Sequence, residues 1–271
     1  MKNQKICIIG DGLAGLSTTL TLKNLDLDID VFYKKTNKFK QDSRTTAISE
    51  TNFQFLSKQI KLKKGYFWPC KKISLFYENQ KEKINFLNYS GEKKNLMYIF
   101  ENKKIRSTIL SHLKKCKNVN IFNKNITSVN YKDTSITFNK KKNYYDLIIL
   151  CLGNNSVVYS DLFKSRNIIK DYNEVAITGV VTHNLKIENP SQHFKTEGPL
   201  AILPFKKNKF SFVWSLKKNF YRQHHKKLIN LVNSEIENNY KKIKYKVLNL
   251  QTFPIYMNLR TQYSKKNILI F

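Results

Sequence analysis

The sequence predicts an α/β protein in which a parallel-sheet domain is interleaved with a smaller, mainly antiparallel domain. A strand, a glycine turn, a helix and a second strand follow one another within residues 1–33. Short aromatic-rich pieces between residues 73 and 100, and long extended pieces from residue 175 onward, are typical of antiparallel strands. A chain of 271 residues, 41% of them hydrophobic, is long enough to form two such domains.

The first 33 residues carry the clearest local pattern. Residues 5–9 (KICII) are apolar and predict a short buried strand. Leu16 and Leu20 lie at helical spacing in a helix predicted over 16–25, and residues 29–33 (IDVFY) alternate as a second strand. Because a helix connects the two strands, they are expected to be parallel.

Gly10-Asp11-Gly12-Leu13-Ala14-Gly15 forms a G-x-G-x-x-G motif between that strand and helix. Gly10 allows a tight turn, Gly12 lets a pyrophosphate approach the backbone, and Gly15 permits close packing of helix and strand. The start of the helix, at Leu13 and Ala14, would receive the phosphates. The motif predicts a Rossmann-like dinucleotide-binding unit, and a plain glycine turn is the alternative.

Tyr33 occupies the position at the end of the second strand where this motif usually has an acidic residue for the ribose. Two explanations remain open. Either the Tyr33 hydroxyl or another group contacts the ribose, or the following Lys34 and Lys35 favour a 2'-phosphate and therefore NADP. This unit alone does not decide which dinucleotide binds.

The remaining elements follow from periodicity and turn residues. Helices are predicted over residues 50–59, 104–115 and 223–240. Strands are predicted over residues 119–122, 126–131, 135–139, 146–152, 175–183, 200–204 and 210–216.

Several separated segments resemble the flavin-dependent aromatic hydroxylases of ubiquinone biosynthesis. The glycine motif is similar to that family's FAD fingerprint, and residues 42–49 (DSRTTAIS) resemble its D-x-R-x-x-A-L-S segment. Asn102 and Arg106 match an N-x-x-x-R-x-x-L pattern. Residues 198–204 (GPLAILP), 212–216 (FVWSL) and 253–255 (FPI) resemble strands of the family's substrate domain.

The resemblance implies a p-hydroxybenzoate-hydroxylase-like fold that binds FAD and uses NAD(P)H as electron donor. It places the FAD domain at 1–70 and 101–172, with a third segment starting at 258–271, and the substrate domain at 71–100 and 173–257. Arg44 and Arg106 would steady the FAD, with a surface salt bridge as the alternative for each. Gly198, Pro199 and Trp214 would lie on the substrate side, and core packing is the favoured interpretation of Pro199 and Trp214.

Two departures from the family pattern concern the cofactor. A second FAD motif, A-D-G-x-x-S, corresponds to residues 151–156, where Leu152 replaces the aspartate while Gly153 and Ser156 remain. Gly153 is therefore assigned to the cofactor. The chain ends at Phe271, before the family's glycine-aspartate motif, and the sequence is expected to be a C-terminally truncated fragment whose activity is in doubt.

The implied activity is hydroxylation of the aromatic ring of a polyprenylated phenol with FAD, NAD(P)H and O2. The implied setting is the cytoplasm, with peripheral contact at the inner face of the membrane and with other proteins of ubiquinone biosynthesis. The alternatives are another FAD oxidoreductase of this fold, such as a reductase or halogenase, a non-catalytic remnant of a flavin site, and a basic nucleic-acid binder. No acid-base residue is assigned, because the cofactor carries such chemistry.

The net charge by itself does not identify a binding partner. Lys and Arg number 49 against 19 Asp and Glu, for a net charge of +30, but only five of the 49 are arginine. Nucleic-acid recognition relies heavily on arginine. We therefore favour the interpretation that the positive charge reflects a lysine-rich composition, over the alternative that it forms a functional surface for a polyanionic partner. No nucleic acid is expected.

Metal sites and hydrolytic triads are not predicted. The four cysteines have no C-x-x-C spacing, and the five histidines have no metal-binding spacing and receive no catalytic role. No Ser-His-Asp set lies on a nucleophile elbow. Apolar stretches are too short to span a bilayer.

Overall fold

A computed structural model describes residues 3–33, 42–63, 65–79, 81–91, 94–153, 159, 162 and 167–271. The chain divides into two compact units. The first contains Met1–Gln41, Lys103–Ile169 and Asn258–Phe271, and the second contains Asp42–Asn102 and Lys170–Met257. An interleaved α/β architecture, as predicted, is confirmed.

The first unit is built on a sheet whose strands are mostly parallel. Numbered in chain order and given in spatial order, its strands are β18 (Ser264–Lys265), β19 (Ile268–Ile270), β12 (Leu147–Leu150), β1 (Gln4–Ile9), β2 (Leu27–Tyr33) and β8 (Val119–Asn123). β1 is parallel to β2 and β12, β2 to β8, and β12 to β19, whereas β18 is antiparallel to β19.

Apolar strands and helix faces form the core of this unit. The last four residues of β1 are all buried, as expected for a strand covered on both faces. Helix α1 (Leu13–Leu22) buries Leu16 and Leu20, and α3 (Asn102–Leu113) buries Ile105 and Ile109. A small antiparallel sheet completes the unit with β9 (Ser128–Asn130), β10 (Ser135–Phe138) and β11 (Lys141–Tyr144).

The second unit is built on a long, mainly antiparallel sheet. In spatial order its strands are β17 (Tyr245–Arg260), β13 (Asn167–His183), β16 (Lys209–Lys217), β15 (Leu200–Lys206), β14 (Ser191–Lys195), β5 (Lys72–Glu78) and β6 (Lys83–Ser90). β14 is parallel to β5. The pairs β13–β16, β16–β15 and β15–β14 are antiparallel. β5 and β6 form an antiparallel hairpin.

A second small sheet and three helices complete this unit. The small sheet is β3 (Thr45–Ser49), β7 (Met97–Glu101) and β4 (Phe67–Cys70), and the helices are α2 (Glu50–Gln59), α4 (Lys218–His224) and α5 (Leu228–Asn239). Val232 and Ile236 of α5 pack into a buried cluster with strands of the long sheet. In the described residues, no helix is long and apolar enough to cross a bilayer.

Two features differ from the sequence predictions. The helix predicted over 223–240 is divided by a 3-10 turn at His225–Lys227, where consecutive polar residues leave no apolar face to bury. Residues 42–70, which were assigned to the first domain, belong to the second unit. The reason is strand pairing, because β3 and β4 both bond to β7.

Candidate functional site

The glycine turn of the first unit is tightly packed against the following strand. Gly10 has a φ of 125°, which side chains rarely tolerate, and its amide donates to the Phe32 carbonyl over 2.9 Å. A Cβ at Gly10 would lie 2.1 Å from the Cys151 carbonyl oxygen, and one at Gly15 would lie 2.1 Å from the Gly10 carbonyl oxygen. Both glycines therefore permit close backbone approaches.

Gly12 differs from the other two because the space beside it is open. A Cβ at Gly12 would meet no protein atom within 4 Å. Gly12 is also the N-cap of α1 and has no side chain with which to bond the first amides of the helix, at Leu13 and Ala14. Backbone donors at a helix start, beside unfilled space, are suited to binding an anion.

Arg106 binds the glycine turn itself. From α3, its Nε donates to the Asp11 carbonyl oxygen over 3.0 Å, and its Nη2 donates to the Asp11 carboxylate. The two side chains are only 19% and 7% exposed, so this is a largely buried ion pair. Arg106 is thus brought to the glycine motif, and its observed contact is with the protein backbone and Asp11.

The positions that depart from the family pattern lie nearby in the first unit. Tyr33 ends β2 and is half-buried, while Lys34, Lys35 and Ser156 lie outside the described residues. Leu152 packs against the hydrophobic core, and its amide donates a hydrogen bond to the Tyr159 hydroxyl over 2.9 Å. Gly153 is exposed, with a φ of 74°.

In the second unit, Asp42 holds Arg44. The Arg44 Nε and Nη2 donate to the two carboxylate oxygens of Asp42 over 2.8 and 3.0 Å, and the Arg44 amide donates to the same group over 3.1 Å. The hydrogen bond to Asp42 raises the pKa of Arg44. The D-x-R spacing therefore fixes a cation through its own local geometry.

Arg44 lines a cavity of about 270 Å³ that lies within the second unit. Hydrogen-bonded polar pairs hold its wall: Thr45 Oγ1 lies 2.5 Å from Ser211 Oγ, and Thr46 Oγ1 donates to Asn102 Oδ1 over 2.7 Å. The full lining is Ser43, Arg44, Thr45, Thr46, Asn102, Thr178, Gly179, Ser211, Phe212, Val213 and Phe253. The cavity combines one cation, several hydroxyls and an apolar wall.

The predicted substrate-side residues have structural contacts. Trp214 is 2% exposed in the core, and its Nε1 donates to the Gly198 carbonyl over 3.2 Å. Gly198 has a φ of 134°, and a Cβ there would lie 1.8 Å from the Ser215 carbonyl oxygen. The Pro199 carbonyl accepts from the Ser215 amide. Val213 lines the Arg44 cavity, whereas Trp214 does not.

Known structures share the fold over nearly the whole chain. A p-nitrophenol 4-monooxygenase from Pseudomonas putida superimposes with a TM-score of 0.76 at 12% identity, covering 100% of this chain and 72% of that one. A probable FAD-dependent monooxygenase from Pseudomonas aeruginosa gives 0.76 at 12% identity, covering 99% and 78%. This chain has the flavin-monooxygenase fold.

The same fold also includes halogenating enzymes. A triple mutant of a flavin-dependent brominase gives a TM-score of 0.74 at 10% identity, covering 99% of this chain and 72% of that one. No protein-family model and no curated protein matches the sequence. The likeness therefore establishes the fold, and this fold is shared by oxygenating and halogenating proteins.

Sequence reasoning missed three parts of the candidate site. It gave no role to Asp11, although an acidic residue inside the glycine turn was a visible signal. It did not identify Ser211 and Thr178 of the Arg44 cavity, since isolated hydroxyl residues in strands carry no motif.

Within the described residues, no group of three or more His, Cys, Asp or Glu side chains is arranged to hold a metal ion.

Proposed function

We propose that this chain is an FAD-dependent monooxygenase that hydroxylates the ring of a polyprenylated phenol with NAD(P)H and O2. The observation that carries the proposal is the open backbone at Gly12, placed between β1 and α1 in a flavin-monooxygenase fold. The ubiquinone-pathway assignment rests on the matched segments at residues 42–49 and 198–204.

The residues of the first unit fit the diphosphate of a flavin dinucleotide. Gly10 and Gly15 allow the turn, Gly12 leaves room for the pyrophosphate, and the amides of Leu13 and Ala14 supply donors. Arg106 would act through Asp11, by holding the shape of the turn rather than by contacting the cofactor. Tyr33 and Gly153 are proposed to lie along the adenosine and ribityl parts.

In the second unit, the Arg44 cavity would supply charge and polarity beside the reacting ring. When bound, FAD supplies the electron transfer from NAD(P)H and the activation of O2. Arg44, fixed by Asp42, would hold a positive charge there. The paired hydroxyls of Thr45 and Ser211 would orient a polar group, and Val213 would exclude water.

An exposed apolar face supports the lipophilic substrate and membrane contact. Near the free edge of the long sheet, Tyr77 lies opposite both Phe194 and Ile84, and Phe86 lies 5.9 Å from Phe194 between ring centroids. The exposed large side chains of this face are Tyr77, Ile84, Phe86, Leu87, Tyr89 and Phe194, at 39% to 61%. Contiguous apolar surface of this kind marks an interaction site.

We expect the chain to sediment with vesicles of anionic lipid at low salt and to be released by high salt, because its net charge is +30. Replacing Phe86 and Tyr89 with serine should weaken this binding while leaving the thermal midpoint unchanged, since both side chains are exposed. Absence of sedimentation at low salt would refute the membrane contact, and equal sedimentation with neutral and anionic vesicles would refute the contribution of the net charge.

Catalysis is tested with FAD, NADH or NADPH, and a polyprenylated phenol in air. The proposal predicts that the phenol stimulates NAD(P)H oxidation and that the product gains one oxygen atom, which is labelled when the gas is ¹⁸O2. A parallel reaction with bromide checks for halogenation. A brominated product would show that the chain is a halogenase and not a monooxygenase. FAD binding without any oxygenated product would contradict the proposed hydroxylation.

A further inference from the structure

A polar cluster in the second unit lies outside the Arg44 cavity and outside the flavin chemistry. Glu78 is on β5, and His193 is on the neighbouring strand β14, which is parallel to it. His193 Nδ1 lies 2.5 Å from Glu78 Oε1, and His193 Nε2 lies 3.0 Å from Ser191 Oγ. A hydroxyl, an imidazole and a carboxylate are therefore connected in sequence.

The protonation of this cluster follows from its hydrogen bonds. Burial opposes ionisation of Glu78, but hydrogen bonds from Lys83, Lys195 and His193 lower its pKa to about 2. An ionised carboxylate only accepts, so His193 Nδ1 carries a proton. Burial lowers the pKa of His193, so the ring is neutral and Nε2 accepts the Ser191 hydroxyl proton.

The cluster is held rigidly. His193 is 3% exposed, and its ring stacks on Phe76 with centroids 4.8 Å apart and planes 10° apart. Lys195 Nζ donates to Glu78 Oε2 over 2.9 Å and also binds Glu235, so the Glu78 carboxylate is fixed at both oxygens. The base and its orienting carboxylate are thus positioned before any ligand arrives.

Ser191 and His193 open onto a cavity of about 290 Å³. Tyr240 lines the same cavity. Burial raises the pKa of Tyr240 to about 12, so the phenol keeps its proton. The protonated Tyr240 hydroxyl, which lines the same cavity, can donate a hydrogen bond to an oxyanion formed beside Ser191.

We propose that Ser191, His193 and Glu78 form a nucleophilic site that hydrolyses small carboxylic esters. Ser191 Oγ bonds to the ester carbonyl carbon while its proton passes to His193 Nε2. The carbon–oxygen bond to the alcohol then breaks, and the alcohol leaves with that proton. His193 Nε2 then takes a proton from water, and the water oxygen bonds to the acyl carbon. The bond from that carbon to Ser191 Oγ breaks, the acid leaves, and the proton returns from His193 to Ser191 Oγ. The cavity volume limits the ester to a small one.

This site is tested on the whole chain without FAD, so its outcome is independent of the monooxygenase proposal. A fluorophosphonate probe should add once, and peptide mass mapping should place the adduct on Ser191. The same chain should hydrolyse p-nitrophenyl acetate with an initial burst. Absence of an adduct, or an adduct on another residue of the unaltered chain, would overturn the proposal without any variant being needed.

Variants separate the role of each group. Ser191→Ala should abolish labelling, whereas Ser74→Ala should retain it, because Ser74 lines the same cavity but donates to Asn88 over 2.8 Å. His193→Gln should slow labelling about 100-fold through loss of the general base. Circular dichroism confirms that each variant is folded. Labelling of Ser191→Ala, or unchanged labelling of His193→Gln, would refute the assignment.

Discussion

Alanine at Gly12 is expected to leave the fold intact and to weaken FAD binding at least about tenfold, or about 1.4 kcal/mol. The backbone at Gly12, with φ −66° and ψ 174°, suits any residue. An added methyl group meets no protein atom within 4 Å, so it projects into the space proposed for the pyrophosphate. Equilibrium dialysis against FAD measures the binding, and urea unfolding measures the stability.

Alanine at Gly10 is the matched control, because it should lower the stability of the fold. At this position the backbone has a φ of 125°, and an added Cβ would lie 2.1 Å from the Cys151 carbonyl oxygen. The free energy of unfolding of this variant should fall by on the order of 2 to 4 kcal/mol. If both variants lost equal stability, or if Gly12→Ala bound FAD like the unaltered chain, the proposed pyrophosphate position would be wrong.

Removing the Arg106 guanidinium is expected to lower the free energy of unfolding by about 3 kcal/mol. Arg106→Ala leaves the Asp11 carboxylate, whose side chain is 7% exposed, without its paired charge. The glycine turn should then lose its shape, and FAD binding should weaken as well. Urea unfolding of the variant at pH 7 and FAD dialysis of its folded form measure the two effects.

A double-mutant cycle tests whether this cost arises from the pair. Asp11→Ala combined with Arg106→Ala should be less destabilising than the sum of the single changes, because no buried charge is left unpaired. Arg106→Lys should recover only part of the stability, since an ammonium lacks the planar fork that reaches both the carbonyl and carboxylate of Asp11. Strict additivity would show that the pair is not coupled.

The local parts of the candidate site could be predicted because a few adjacent residues determine them. Gly10, Gly12 and Gly15 show the close approaches and the open position that the motif requires. The bond between Asp42 and Arg44 spans two residues. Core packing of Trp214 follows from strand alternation. Whether these residues bind FAD or substrate stays a prediction.

Contacts that depend on tertiary pairing could not be predicted. Asp11 and Arg106 are 95 residues apart, and Glu78 and His193 are 115 apart. The strand β14 that carries His193 reads SQHFK, which has too few apolar residues to signal a strand. Likewise, Asp30 within β2 is buried because Asn120, Tyr145 and Lys5 bind its carboxylate, and none of these partners is near in sequence.

Equilibrium dialysis of the purified chain against FAD tests directly whether the glycine turn binds the cofactor. We expect saturable retention of one FAD per chain, weakened by alanine at Gly12 and competed by ADP, which shares the pyrophosphate. A folded chain that retains no FAD at saturating concentration, or retains it equally with alanine at Gly12, would show that the glycine turn is not an FAD site.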